Sequence, residues 1–246
     1  MKEKNFSQRR REHREDQPRI LFFSASSLRT LCLCVTFLLL TAALSIARSR
    51  KNHREAGTPG VFDYYVFSLS WSPEFCAGPS GARDAAQCGE GRQYGFVVHG
   101  LWPQYERGFP ESCAASSPVG SAIIERMLSL MPSPHLIQHE WDQHGTCSGL
   151  APAPYFETIR SVRAAVKIPS DYTAPIRQLS VSPAEIRQKF AAANAGFGLD
   201  SVHTLCSGRF VSEVRICFSR DLKPRACGAG VRDTCAVDPV ILRPVR

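Results

Sequence analysis

Eight cysteines between residues 76 and 235 constrain the fold of this chain more than any other feature of its sequence. No two of them form a C-x-x-C pair, so the sequence indicates neither a zinc ribbon nor a thiol redox motif. An even set of cysteines in an exported chain predicts four disulfides, although eight cysteines allow roughly 100 different pairings. The eight are Cys76, Cys88, Cys113, Cys147, Cys206, Cys217, Cys227 and Cys235.

The amino-terminal segment is the evidence for export. Residues 1–19 are polar and charged, residues 30–47 (TLCLCVTFLLLTAALSIA) are uncharged and apolar, and RSRK follows directly. This order, with small residues at Ser45 and Ala47, is typical of a signal peptide cleaved after Ala47. The alternative is an uncleaved anchor, because about 18 apolar residues can just span a bilayer. Both interpretations predict an exported location, periplasmic or extracellular; in the second, residues 30–47 attach the protein to a membrane.

The rest of the chain is long enough for one domain. We predict a mobile linker over residues 48–60 and a single domain over residues 61–246, because about 200 residues can bury a sizeable core. Of the net charge of +8, residues 1–47 account for 8 basic and 4 acidic side chains, which leaves 22 basic and 18 acidic ones. This mild excess permits a polyanionic substrate without requiring one. No block of Lys and Arg in the domain marks a dedicated nucleic-acid tail.

The predicted strands lie at the two ends of the domain. Residues 62–71 (FDYYVFSLSW) are rich in aromatic and β-branched residues, and residues 96–98 predict a buried strand that breaks at Gly100 and Pro103. His99 is therefore expected where a strand ends, a common place for a functional side chain. Strands return over residues 202–219. We predict loops for residues 72–91, closed by a Cys76–Cys88 bond, and for the tail after Asp221.

The predicted helices occupy the middle of the domain. Apolar periodicity indicates helices within residues 120–132, 134–145, 155–168 and 182–197. For the last of these, Ser182 as N-cap, Pro183 as the first helical residue and Glu185 as the third predict a capping-box start. Strands on both sides of a helical middle favour an α+β fold.

Residues 139–147 (HEWDQHGTC) concentrate the side chains that could carry chemistry. A zinc-binding H-E-x-x-H helix has its histidines at i and i+4. His139 and His144 are at i and i+5, so on a helix their rings point about 140° apart and disfavour a shared metal ion. Glu140 and His144 share a helix face, and a carboxylate beside an imidazole suits acid–base chemistry. For this stretch alone, a polar helix end without function remains the alternative.

A second motif favours the functional interpretation over a polar helix end without function. Residues 96–104 (FVVHGLWPQ) place His99 forty residues before His139. Both motifs, in this order and with cysteines around them, resemble the active-site segments of the ribonuclease T2 family. FDYYVFSLSWSPEFC and VSEVRICFS are similar to the opening strand and the closing hairpin of that family, so the resemblance covers residues 62–235. It implies a disulfide-stapled α+β fold with a central antiparallel sheet and several helices.

The resemblance also implies a function. Members of the family are endoribonucleases that cut single-stranded RNA through a 2′,3′-cyclic phosphate and leave 3′-phosphate ends, without a metal or another cofactor. By resemblance, His144 is the base and His99 the acid, and the roles exchange when the cyclic phosphate is hydrolysed. Glu140 would assist at the phosphate and tune the imidazole of His144, and His139 would bind the phosphate. Residues 61–246 are then the catalytic domain, with RNA as its substrate.

Four further residues are expected to bind substrate. Trp102 would pack beside the site and help to place a base by stacking, which is worth about 1–3 kcal/mol per base. Gln104 and Phe109 fall in a region that resembles part of the family's base pocket. Gln143 replaces the lysine that the family usually has before its second catalytic histidine. Glutamine can donate hydrogen bonds to the phosphate, but it brings no cation.

The resemblance suggests the remaining disulfides and leaves two alternatives open. It pairs Cys113 with Cys147, which links the two halves of the site, and it nests Cys217–Cys227 inside Cys206–Cys235.

A homologue that binds RNA with weakened or lost catalysis is the first alternative function, because Gln143 departs from the family. A metal-dependent hydrolase is the second. We expect a monomer, since the sequence shows no obligate protein partner.

Overall fold

A six-stranded sheet is the centre of the computed structural model, which describes residues 57–245. The strand order is β2-β1-β5-β6-β3, and β4 lies off this path and also pairs with β5. The strands are β1 (Tyr64–Trp71), β2 (Phe96–Gln104), β3 (Leu179–Val181), β4 (Val202–Ser207), β5 (Phe210–Ser219) and β6 (Val240–Leu242). All pairs are antiparallel except β5 with β6, which meet in parallel at Phe210 and Ile241. The predicted α+β fold with a central, mainly antiparallel sheet is confirmed.

The helices lie where periodicity predicts them, together with two that it misses. They are α1 (Ser72–Ala77), α2 (Ala85–Cys88), α3 (Ser121–Met127), α4 (Pro134–Gln143), α5 (Pro152–Ala165) and α6 (Pro183–Ala193). The predicted loop over residues 72–91 contains α1 and α2, which are too short to show a helical period. The tail beyond Asp221 contains β6, a strand of three residues that pairs with β3. These short elements depend on tertiary partners, so the predictions of loop at both places are wrong.

Strand β2 is longer than predicted, and this changes the position of His99. It continues through Gly100 and Pro103 to Gln104, so His99 lies inside the strand instead of at its end. Proline is tolerated here because β2 is at the edge of the sheet. Ser68 of β1 pairs with Gly100 and Leu69 pairs with Val98, so His99 is the extra residue of a bulge. Bulges redirect side chains and are common beside active sites.

The core packs mainly against one face of the sheet. Buried side chains from β1, β2 and β5 meet those of α4, α5 and α6, with Trp71, Phe67, Ile137, Tyr155 and Phe190 among the most enclosed. A smaller buried cluster contains Tyr64, Val66, Trp102, Cys217 and Val231. Side chains of a strand alternate between faces, so residues of β1, β2 and β5 contribute to both clusters. Trp102 belongs to the smaller cluster, which adjoins the candidate site.

The four expected disulfides are present. The bonds are Cys76–Cys88, Cys113–Cys147, Cys206–Cys235 and Cys217–Cys227. The predicted linker ends earlier than residue 60, because the backbone N–H of Gly60 donates to the carbonyl of Cys147 and a Cβ at Gly57 would overlap Pro110 and the sulfur of Cys113. The apolar run over residues 30–47 lies outside the described residues. Within residues 57–245, no helix has the length and apolar character needed to cross a membrane.

Candidate active site

His99 projects from the bulge of β2 and is held by a carboxylate from β5. Its Nδ1 lies 2.8 Å from Oε1 of Glu213, and its side chain is 32% exposed. Burial by itself would lower the pKa of His99, but the hydrogen bond with Glu213 and the charges of Glu140 and Glu213 outweigh burial and the opposing charge of Arg215, and the pKa is raised. Glu213 is an acceptor in its ionised state, so Nδ1 carries the donated proton and Nε2 is available for another group.

Glu140 on α4 approaches His99 from the other side. Its side chain is 1% exposed, with Oε1 located 3.6 Å from Nε2 of His99 and Oε2 accepting a 2.6 Å hydrogen bond from Nε1 of Trp102. Burial raises the pKa of Glu140 to about 7, against the opposing effects of His99 and Trp102. A side chain at Gly100 would overlap both Glu140 and Trp102, so only glycine allows this approach of α4 to β2.

The expected pairing of Glu140 with His144 is not what the structure shows. Helix α4 ends at Gln143, and His144 has φ −122° and ψ −42°, so it leaves the helix. The backbone N–H of His144 still donates to the carbonyl of Glu140 at 3.1 Å, so the two residues are one turn apart, but this contact does not involve the carboxylate. The carboxylate of Glu140 contacts His99 and Trp102 instead.

His144 has an environment opposite to that of His99. Burial lowers its pKa to about 3, and the positive charges of His99, His139 and Arg215 act in the same direction. Its Nδ1 is buried without a hydrogen-bond partner. The structure therefore favours a neutral imidazole at His144 and a protonated one at His99 over the same range of pH.

Trp102 connects the two histidines. The indole lies edge-on to His99 with ring centroids 5.1 Å apart, and it is tilted against His144 at 5.2 Å. The guanidinium of Arg215 sits over the ring at 4.8 Å, and Trp102 is only 8% exposed. These contacts leave little of the ring exposed, and the expected stacking on a base stays a prediction. Trp102 therefore contacts both imidazoles and donates a hydrogen bond to Glu140.

A cavity of about 730 Å³ opens beside His99 and His139. It also receives side chains from β1, from the α1–α2 segment and from the start of α4, including Ser70, Arg83, Asp84, Gln87, Ser133 and His135. His139 is exposed, and burial together with the charges of His99 and His135 lowers its pKa. The motif residues His99 and His139 thus share one concave surface.

The three remaining predicted residues lie elsewhere. Gln143 accepts a 3.3 Å hydrogen bond from Ser112 through Oε1. Gln104 is buried at the end of β2 and donates to the carbonyl of Pro103, whereas Phe109 lies on the exposed surface. Neither Gln104 nor Phe109 lines the cavity beside His99. Their expected contact with a base stays a prediction.

Sequence reasoning missed Glu213 and Arg215. Both lie on β5, more than one hundred residues after His99, in a segment whose resemblance to the family gave them no role. The only signal is local: in VSEVRICFS the charged residues alternate with Val214 and Ile216 of the main core, so both point to the opposite face. Two charged side chains on a largely buried strand require partners, and the sequence does not say which.

Comparison with known proteins identifies the family. Residues 62–227 match the sequence profile of the Ribonuclease T2 family. The chain belongs to the ribonuclease T2 family. A ribonuclease of Aeromonas hydrophila is 38% identical to it over 167 residues, a match that covers 67% of this chain and 75% of that protein.

Solved structures of lower identity agree on the ribonuclease T2 fold. RNase NT in complex with 5′-AMP has a TM-score of 0.62 at 20% identity, over 75% of this chain and 99% of its own. A mutant of RNase MC1 in complex with 5′-UMP has a TM-score of 0.53 at 23% identity, over 74% of this chain and 98% of its own. At these identities the likeness establishes the fold, and the chemistry has to be argued from the site.

Proposed function

We propose that this member of the ribonuclease T2 family is an endoribonuclease that cleaves single-stranded RNA by acid–base catalysis without a metal. The observation that carries the proposal is the unequal environment of two histidines that contact the same indole. His99 faces two carboxylates and has a raised pKa, whereas His144 is desolvated beside cations and its pKa is lowered to about 3. One protonated and one neutral imidazole are the pair that such a reaction needs.

The first step uses the nucleophile that RNA carries. Neutral His144 removes the proton of the 2′-hydroxyl through Nε2, because its Nδ1 is buried. The 2′-oxygen attacks the phosphorus, the bond from phosphorus to the 5′-oxygen breaks, and His99 donates the proton on Nε2 to the leaving 5′-oxygen. The products are a 2′,3′-cyclic phosphate and a 5′-hydroxyl end.

The second step runs with the roles exchanged. His99, now neutral, takes a proton from water, the water oxygen attacks the cyclic phosphate, and His144 returns its proton to the departing 2′-oxygen. The product is a 3′-phosphate, and both histidines regain their starting protonation states. Where Glu140 is ionised, above its raised pKa of about 7, it adds a second carboxylate beside His99 and stabilises the imidazolium; at lower pH that stabilisation comes from Glu213.

Phosphate binding falls to the neighbouring polar groups. His139 shares the concave surface with His99 and is placed to donate to a phosphate oxygen. Gln143 contributes an uncharged amide where the family usually has lysine. The mononucleotides in the RNase NT and RNase MC1 complexes support a nucleotide ligand for this fold. The four disulfides support an exported, oxidising compartment.

The test is cleavage of single-stranded RNA by the oxidised protein secreted from an expression host, with EDTA present and pH scanned from acid to neutral. We expect cyclic phosphate at the 3′ ends of short-time products from the parent and none from His99→Ala or His144→Ala. Glu157→Gln is the control, since Glu157 is an exposed carboxylate on α5 that pairs with Arg160. Binding of RNA without cleavage by the folded parent would favour the alternative of a binding homologue. Cleavage abolished by EDTA would favour a metal-dependent hydrolase.

A further inference from the structure

Five side chains, His99 among them, form a closed circuit of contacts. Nδ1 of His99 meets Oε1 of Glu213 at 2.8 Å, and Oε2 of Glu213 meets Nε and a terminal nitrogen of Arg215 at 2.9 and 2.7 Å. The guanidinium of Arg215 then covers Trp102, and Trp102 donates to Glu140, whose other oxygen faces Nε2 of His99. Both oxygens of Glu213 are therefore engaged, one by the imidazole and one by the guanidinium.

The sheet places this circuit with little freedom. Glu213 pairs with Ser70 of β1 and Arg215 pairs with Ser68, which in turn pairs with Gly100 of β2. The bulge at His99 lies beside these paired positions, so the imidazole of His99 reaches across β1 to Glu213 on β5. Ser68 and Ser70 carry small side chains at the β1 positions that lie between β2 and β5. Glu213 is 13% exposed and Arg215 28% exposed, so neither side chain is free to turn into solvent.

A carboxylate on Nδ1 settles three properties of an acid–base histidine. It fixes the rotation of the ring, it fixes the tautomer that presents Nε2 to the substrate, and it stabilises the protonated state. Glu213 is ionised throughout the useful range, because His99 and Arg215 lower its pKa to about 2 in spite of its burial. Its partner Arg215 holds the carboxylate by a fork that a lysine could not reproduce.

We propose that Glu213 is a positioning residue that orients His99 and keeps Nε2 directed at the leaving oxygen, and that Arg215 holds Glu213 in place. This inference rests on the proposed function for its kinetic consequences, although the contact itself does not depend on that function. The competing explanation is an ion pair that only stabilises the sheet. The two differ in what they predict for His99, so the decisive readout is its titration.

The charged groups around His99 come from three parts of the fold, and a substitution has to be judged against all of them. Glu213 and Arg215 come from β5, and Glu140, His139 and His144 from α4 and the turn after it, whereas the α1–α2 segment brings Arg83 and Asp84 to the shared cavity. Glu213 is the only one of these that hydrogen-bonds to the His99 ring. Removing Glu213 should therefore remove both a charge and a hydrogen bond from His99, whereas removing any other single carboxylate should remove a charge alone.

The experiment is an NMR titration of His99 in the oxidised, secreted protein, with and without Glu213→Gln. We expect the pKa of His99 to fall by about one pH unit or more, because a facing carboxylate at this distance has been lost. In RNA cleavage, the alkaline limb of kcat/KM should move to lower pH by a similar amount, with KM changed less than about threefold. Glu213→Ala, which cannot hold the ring, should lower kcat by about 100-fold, and Glu213→Asp should restore part of it.

Glu157→Gln is the matched control. Glu157 is an exposed carboxylate on α5 in an ion pair with Arg160, and its loss should change neither the titration nor the pH profile. If Glu213→Gln fails to fold because Arg215 is left unpaired, the double variant Glu213→Gln/Arg215→Gln is compared with Arg215→Gln alone, because the charge of Arg215 itself lowers the pKa of His99. An unchanged pKa of His99 in the folded variant would overturn the proposal. If the parent cleaves no RNA, the proposed function fails, and the titration still decides whether Glu213 governs His99.

Discussion

At the scale of single residues, the surroundings of two histidines shift their pKa values in opposite directions, up for His99 and down for His144. His99 has Glu213 on one nitrogen and Glu140 near the other, so its proton is stabilised in spite of burial. His144 has a buried nitrogen without a partner and three cations within range, so its neutral form is favoured. The acid and base roles that the family resemblance implies are thus compatible with the electrostatics of this chain.

This contrast predicts the pH dependence of RNA cleavage. The proposed mechanism needs His144 neutral and His99 protonated, so kcat/KM should rise with pH as His144 loses its proton, at a pKa lowered to about 3. It should fall again only as His99 loses its proton, at a raised pKa. We expect a broad profile that extends well into acid, measured on a dinucleotide substrate under conditions where the fold is intact. A narrow maximum with both limbs near the ordinary histidine pKa would contradict these assignments.

The missing lysine gives a second prediction at this scale. Gln143→Lys would add a cation at the position where the family has one, and preorganised positive charge stabilises the negative charge that develops on the phosphoryl oxygens. We expect kcat for RNA cleavage to rise by about tenfold, with Gln138→Lys on the preceding turn of α4 as a control for added charge. An unchanged kcat would indicate that cations already present, Arg215 among them, meet this need.

At the scale of elements, the approach of α4 to β2 builds the site. Local sequence decides that α4 starts after Ser133, whose side chain accepts from the N–H of Leu136. It does not decide cap chemistry everywhere: Ser182 precedes α6 as predicted, but its hydroxyl donates to Asp238 instead of closing a capping box. Between α4 and β2, the absent side chain of Gly100 leaves room for Glu140.

Gly100→Ala tests this contact between elements. The new methyl group would overlap Glu140 and Trp102, so α4 must shift or Glu140 must turn. Overpacking of this kind costs about 1–3 kcal/mol of unfolding free energy, and we expect a loss of kcat as well. Gly120→Ala is the control, because a Cβ at Gly120 meets nothing within 4 Å and its φ is −61°. Denaturant unfolding and RNA cleavage of both variants would check the prediction, and equal behaviour would contradict it.

At the scale of the whole molecule, disulfides join parts of the chain that carry the site. Cys113–Cys147 anchors the segment after β2 to the turn that follows His144, and the backbone N–H of Ser112 donates to the carbonyl of Gln143 beside it. Cys206–Cys235 closes a span of similar length, 29 against 34 residues, but packs against the main core. The two disulfides should therefore stabilise the fold by similar chain-entropy effects, although they pack against different parts of it.

Replacing each pair by serines should separate stability from activity. By chain entropy, Cys113→Ser/Cys147→Ser and Cys206→Ser/Cys235→Ser should each lower the unfolding free energy by about 3–4 kcal/mol. At a temperature where both variants are folded, we expect the first to lose kcat by about tenfold or more and the second to stay within about twofold. Denaturation curves and single-turnover cleavage give the two quantities. Equal losses of kcat would mean that Cys113–Cys147 has no special part in holding His144.

The sequence by itself determined most of the elements and the motif residues. Long periodic segments such as α5 and α6, aromatic strands such as β1 and the spacing of His99, His139 and His144 are local patterns, so they are readable without a structure. The number of disulfides follows from composition and export. The short elements α1, α2, β3 and β6 were not readable, because they are held by partners distant in the chain.

Only the tertiary structure decided which groups act on which histidine. The bulge that aims His99, the contacts of Glu140 with His99 and Trp102, and the burial of Trp102 depend on strand register and helix packing. Glu213 and Arg215 reach the site across β1, through pairings that no local pattern encodes. The physical reason is that the pKa of a side chain depends on charges and solvent within a few ångströms, and the fold, not the order of residues, places them there.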